Sequence, residues 1–268
     1  MFNKNICLRL YNFSVFTRGL SRLAALGLIT LLTGCASLAP GGPVDTERLS
    51  NAVAIDDVAA VRAQVEAKAI TVNQLIPGIG YAATPMITVA ARNGAVGVLR
   101  YLIDAKADLN ARTPDRDTAL MLAALFGQED RERNNVSYLR YDQAVRLLVE
   151  ASAHLENVEV NAYTPLGYAA YAGRDQTVSY LLEKGAKANA HAQGRVSYVN
   201  TPLMMASLQG HRNAALHLLR AGADASVRVQ NGMTAIEFAQ KNKQTHLEKI
   251  LRCAESLKPG ETFRQRCE

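Results

Sequence analysis

From Pro85 to Ala254 the apolar residues fall into short stripes at helical spacing, punctuated by threonine and glycine. In "TPLGYAAYAG", Leu166, Ala169 and Ala170 mark one face of a helix of about two turns. Beyond Gly173, Val178, Leu181 and Leu182 mark the face of a second helix. Thr164 is placed to cap the first helix through its hydroxyl, and Pro165 follows in the first turn, where no amide hydrogen is needed. Gly185 supplies a left-handed residue after the second helix. The pattern therefore predicts pairs of short helices, the first lined with small residues that allow close stacking.

The pair recurs along the chain. Copies in one register open at Pro85, Thr118, Thr164, Thr201 and Thr234, in steps of 33, 46, 37 and 33 residues. An earlier copy without the Thr-Pro opening begins near Glu47. Thr118, Thr201 and Thr234 repeat the cap, and Gly94, Gly127 and Gly210 repeat the turn between helices. Val145, Leu147 and Leu148 repeat the second stripe, and Gly222 the second stop. Lys68, Lys106 and Ser152 stand where that last glycine is expected, and left-handed geometry would cost each about 1–2 kcal/mol. The unit resembles the ankyrin repeat. The resemblance covers residues 47–255 and implies an all-α fold, an ankyrin-repeat solenoid of about six helix-turn-helix repeats. Neighbours in such an array share burial across their interfaces, which lets a weak copy persist.

The 46-residue step carries thirteen extra residues, "QEDRERNNVSYLR" from Gln128 to Arg140, with six charges. The excess lies between Gly127 and Tyr141, so insertion 128–140 joins the two helices of one repeat and is no domain linker. Ser137 can cap a helical extension in which Tyr138, Tyr141, Val145 and Leu148 follow helical spacing. A solvated extension, which costs little closure entropy, and a recognition element both fit.

The ends of the chain change the picture. Lys4, Arg9, Arg18 and Arg22 precede an uncharged run, Leu23–Leu32. That run is too short to span a hydrocarbon core of roughly 30 Å but suits a signal-peptide apolar region. Leu32-Thr33-Gly34-Cys35 resembles a bacterial lipobox. The resemblance implies removal of residues 1–34 as a lipoprotein signal peptide, lipidation of Cys35, and a tether over residues 35–46. Several acyl chains on one residue give stable anchoring. Ala36, not Asp, favours the outer membrane, facing the periplasm, over the inner membrane.

Removing that segment also alters the charge. The chain has 30 basic and 24 acidic residues; residues 1–34 hold four of the basic ones, leaving 26 against 24, or +2. The basic balance that would suggest nucleic acid thereby disappears, and the membrane is met through the lipid anchor only. Cys7 leaves with the signal, so Cys253 and Cys267 remain as an even pair. In an oxidising compartment a disulfide is the economical reading, closing the C-terminal extension 256–268. Metal ligation is the alternative, but no His or Cys cluster lies nearby in sequence.

Candidate chemistry is sparse. Five histidines are scattered without metal-ligand spacing, and no nucleophile elbow, phosphate loop or His-Glu zinc helix occurs. His211 follows Gly210, where ankyrin repeats commonly carry a structural histidine. The chain reads as a monomeric binder of another protein, with no catalytic residue, cofactor or metal. In the family, partners meet the concave face: the loop tips and the exposed end of each first helix. Those helical positions are Arg92 and Asn93, Leu125 and Phe126, Tyr171 and Ala172, Leu208 and Gln209, then Lys241 and Asn242. Leu125, Phe126, Tyr171 and Leu208 ringed by polar residues resemble an interface core with its rim, unless neighbouring loops cover them. Asp115, Arg116, Tyr163, Arg195 and Tyr198 are candidates on the loop edge, and Arg131, Arg133 and Tyr138 on the insertion. Ankyrin lipoproteins of this size include immunity proteins that neutralise antibacterial toxins such as secreted lipases, which sets the leading expectation. The alternative is a general envelope scaffold or stress-protection lipoprotein.

Overall fold

The computed structural model describes residues 44–78, 80–127, 135–160, 163–190, 200–228 and 232–268. Cys35 and the signal segment, Arg131, Arg133, Arg195, Tyr198 and the side chain of Tyr138 lie outside the described residues. Helices follow one another in pairs: α1 (Thr46–Ala54) with α2 (Val58–Glu66), α3 (Met86–Arg92) with α4 (Val96–Asp104), and α5 (Ala119–Leu125) with α6 (Asn135–Glu150). They continue as α7 (Pro165–Tyr171) with α8 (Asp175–Glu183), α9 (Pro202–Gln209) with α10 (Arg212–Arg220), and α11 (Ala235–Lys241) with α12 (Thr245–Glu255). A last short helix, α13 (Phe263–Cys267), packs on α12 and α10. The first helices pack in one layer, α1 on α3 and so on to α11, and the second helices in another.

The sequence explains the layering. Buried Thr118, Thr164 and Thr201 start α5, α7 and α9, each hydroxyl accepting the amide three residues on at 3.2–3.4 Å. Thr234 differs from its copies: among the described residues its hydroxyl makes no hydrogen bond, and its amide donates to Glu237 at 2.6 Å. Inside these helices the small residues Ala90, Ala91, Ala123, Ala124, Ala169, Ala170, Ala206 and Ala239 are completely buried, so backbones approach closely. Second helices bury a single stripe, for example Val178 and Leu181, and leave the other side to water.

Two features depart from the sequence-based reading. Leu75–Gly78 (β1) pairs antiparallel with Tyr81–Pro85 (β2), Ile76 opposite Thr84, to form a hairpin between the first two helix pairs. The helix α6 begins at Asn135, two residues before Ser137, so the last six residues of the insertion are helical.

A polar ladder joins the outer loops. Asn73 Oδ1 accepts the amide of Asp108 at 2.8 Å, Asn110 Oδ1 that of His154 at 3.0 Å, Glu156 Oε1 that of Lys187 at 2.9 Å, and Asn189 Oδ1 that of Asp224 at 2.8 Å. Each rung ties one copy to the next. At the following position Ser226 turns its hydroxyl onto Asp224 of its own loop at 2.6 Å.

Lys68, Lys106 and Ser152 adopt φ of 56°, 65° and 71°, the left-handed geometry that favours glycine. Replacing Lys106 with glycine should therefore raise stability by about 1 kcal/mol, read as a higher urea midpoint at unchanged slope.

Candidate protein-binding site

Because α3, α5, α7, α9 and α11 lie side by side, their final residues form a continuous row. Arg92, Asn93, Leu125, Phe126, Tyr171 and Leu208 are half-buried there, and Gln209 and Lys241 exposed. The Arg92 guanidinium carbon sits 4.4 Å from the centre of the Phe126 ring, a cation–π contact that covers part of the aromatic face. Asn93 and Asn242 turn their amides back to Val89 O at 2.8 Å and Phe238 O at 2.9 Å, so both finish their own helices. Ala172 is 2% exposed and belongs to the core. Ile55, at the end of α1, is 76% exposed and extends the row by one copy. Sequence reasoning missed it because the first copy lacks the Thr-Pro opening. Its place in the register was the available signal, as far from the opening near Glu47 as Phe126 is from Thr118.

The loop edge is less open than its residues suggest. Tyr163, read from sequence as a partner-facing residue, is only 8% exposed. Its ring meets Tyr168 edge-on at 5.8 Å and 68°, its hydroxyl accepts from Asn200 Nδ2 at 3.4 Å, and its amide donates to Glu159 at 3.2 Å. Aromatic area and a satisfied hydroxyl favour the interior over the edge, and burial pushes the hydroxyl pKa upward. Tyr163 therefore props this loop from within. Tyr168 donates to Asp117 at 3.3 Å; burial, then the nearby Asp117 charge, holds its hydroxyl far above the usual range, so it remains a donor. Tyr81, on the hairpin, donates to Asp115 on the next loop of the edge. Arg116 stands between those two aspartates, exposed, at φ 69°.

The stems of the insertion meet at a residue absent from the sequence-based set. Arg174 is 1% exposed. Its Nη1 donates to Ala123 O at 2.7 Å and Phe126 O at 2.5 Å, where the chain leaves the array. Its Nη2 donates to Asp142, which also accepts from Thr177 at 2.7 Å, where the chain re-enters. In other copies the carbonyl equivalent to Ala123 takes the amide just after the turn: Ala95 to Ala90, Arg174 to Ala169, His211 to Ala206 and Gln244 to Ala239, at 2.8–3.0 Å. In this copy that position falls in the insertion, and a guanidinium reaches the carbonyl from the next pair. Tyr141 completes the junction: its hydroxyl donates to Arg92 O at 3.1 Å, and its ring lies beneath the Arg174 guanidinium at 5.7 Å.

The ankyrin-repeat family model matches residues 83–114, 161–194 and 200–232. The chain carries ankyrin repeats. No curated protein matches it. The matched ankyrin repeats flank the insertion-bearing pair, which the family pattern does not cover. His211 opens the second helix of one matched repeat; its Nε2 lies 3.0 Å from Tyr171 O, and a carbonyl only accepts, so this nitrogen carries the proton. That bond ties two matched repeats together, and Tyr141 ties the insertion-bearing pair to the matched repeat before it at Arg92. Ankyrin repeats make this region a protein–protein interaction module. Among the described residues no group of His, Cys, Asp and Glu is arranged to hold a metal ion, and no helix is long and apolar enough to cross a membrane.

Proposed function

We propose that this protein is a lipid-anchored module of the bacterial envelope that binds one other protein, and that the partner is an antibacterial toxin which it neutralises. The observation that carries the reading is the row Leu125, Phe126, Tyr171 and Leu208: apolar, half-buried, and bounded by Arg92, Gln209 and Lys241. A row of that composition can surrender its remaining water to a partner while polar neighbours seal the rim. The lipobox-like Leu32–Cys35 supports the location, since it would tether the binder where an envelope-directed toxin arrives.

The test is capture from envelope extracts by full-length protein in detergent. Replacing both Phe126 and Tyr171 with alanine should weaken capture by about 2–4 kcal/mol, a thirtyfold loss or more, with far-ultraviolet dichroism unchanged. Unchanged affinity would place the interface elsewhere. One tight partner, with death of a deletion strain only when toxin is present, supports immunity. Several weak partners, or an envelope defect without toxin, would replace it with a scaffold role. Cys35→Ser should move the protein from the membrane to the soluble fraction if the anchor is real.

A further inference from the structure

The C-terminal extension is held to the last ankyrin repeats by very little. Between Ser256 and Glu268 only Phe263 is buried, at 3% exposure. The helix α13 has five residues, too few to persist alone in water. Arg220 meets Glu268 at 2.6 Å, but both side chains are about a third exposed, and such a pair adds little. Ser256 and Leu257 still bond to the last carbonyls of α12, the Ser256 hydroxyl to Cys253 O at 2.8 Å. Beyond them the segment's other side-chain bonds are internal: the Lys258 amide to Glu261 at 2.8 Å, and Thr262 to Gln265 at 2.8 Å. One buried ring does not offset the entropy of ordering a run of this length. What remains is the covalent link: Cys253 and Cys267 are bonded, Cα to Cα 5.8 Å, and both are only half-buried, open to an attacking thiolate.

We propose that residues 256–268 form a redox-released strap. A dithiol attacks one sulfur of the pair through its thiolate, giving a mixed disulfide; its second thiol then closes the reagent's own disulfide. Two electrons pass to the protein, and two protons complete the Cys253 and Cys267 thiols. The strap then leaves the seat of Phe263 on α12 and α10. The ankyrin repeats stay folded, because Leu218, Leu219, Leu247 and Leu251 are buried within the helix layers. In the chain-entropy model, opening a loop of this length shifts the closed-to-open ratio on the order of a hundredfold.

Amide hydrogen exchange of the full-length protein with and without dithiothreitol, followed by mass spectrometry, tests this. Reduction should speed exchange in peptides covering 256–268 on the order of a hundredfold, leaving peptides from α7 to α9 unchanged. The Cys253→Ser, Cys267→Ser double variant should show the fast behaviour without reductant and no response to it. Three results would overturn the proposal: free thiols at these cysteines in untreated protein, unchanged exchange after two thiols are titrated, or exchange rising equally through all the repeats.

Discussion

Replacing Arg174 with methionine should lower stability by about 3–5 kcal/mol. The guanidinium is buried and serves acceptors on three residues, Ala123, Phe126 and Asp142. Methionine fills similar volume but leaves those carbonyls and a largely buried carboxylate short of donors, and an uncompensated buried charge dominates the loss. Arg174→Lys should recover less than half, because one ammonium cannot span carbonyls and carboxylate as a planar fork does. Adding Asp142→Asn to Arg174→Met should restore part of the loss, since the stranded charge goes with it. Urea unfolding of the set checks this. A loss under 1 kcal/mol in Arg174→Met would mean that water reaches the site readily.

The second large effect separates two turns that look alike. Gly173 and Gly210 both have positive φ, 66° and 81°, so alanine at either pays about 1–2 kcal/mol of backbone strain. At Gly173 the added carbon would fall 2.4 Å from the His211 ring, which is held by its bond to Tyr171 O. At Gly210 it would meet the amide end of Gln244, which can swing away. Gly173→Ala should cost about 2–4 kcal/mol once overpacking is added, and Gly210→Ala only the strain. Equal urea midpoints for the two variants would refute the steric part of the difference.

Most of the fold was legible because each copy spells its helices locally: Thr-Pro opens α7 and α9, buried alanines line them, and Gly173 and Gly210 turn the chain. The hairpin was missed although the glycine-rich "PGIGY" spans its turn, because a helical period was already guiding the register. The site was legible in part. Row positions follow from counting within a copy, which yields Phe126 and Tyr171 where a threonine marks the opening; the same count reaches Ile55 only once the unmarked opening near Glu47 is fixed. Tyr163 and Arg174 required three dimensions, since their partners Asn200 and Asp142 lie 37 and 32 residues away. No local pattern distinguishes a tyrosine that meets a partner from one that props a loop.

The ladder of Asn73, Asn110, Glu156 and Asn189 also bears on how such a chain changes length over generations. Because every rung runs from one copy to its successor, a whole copy can be duplicated or deleted and the flanking rungs re-form. Loss of half a copy would break two rungs at once. Ser226 bonds instead within its own loop, so among the described residues the run of rungs ends at Asp224, and a duplicated copy placed before that point finds a rung on both sides.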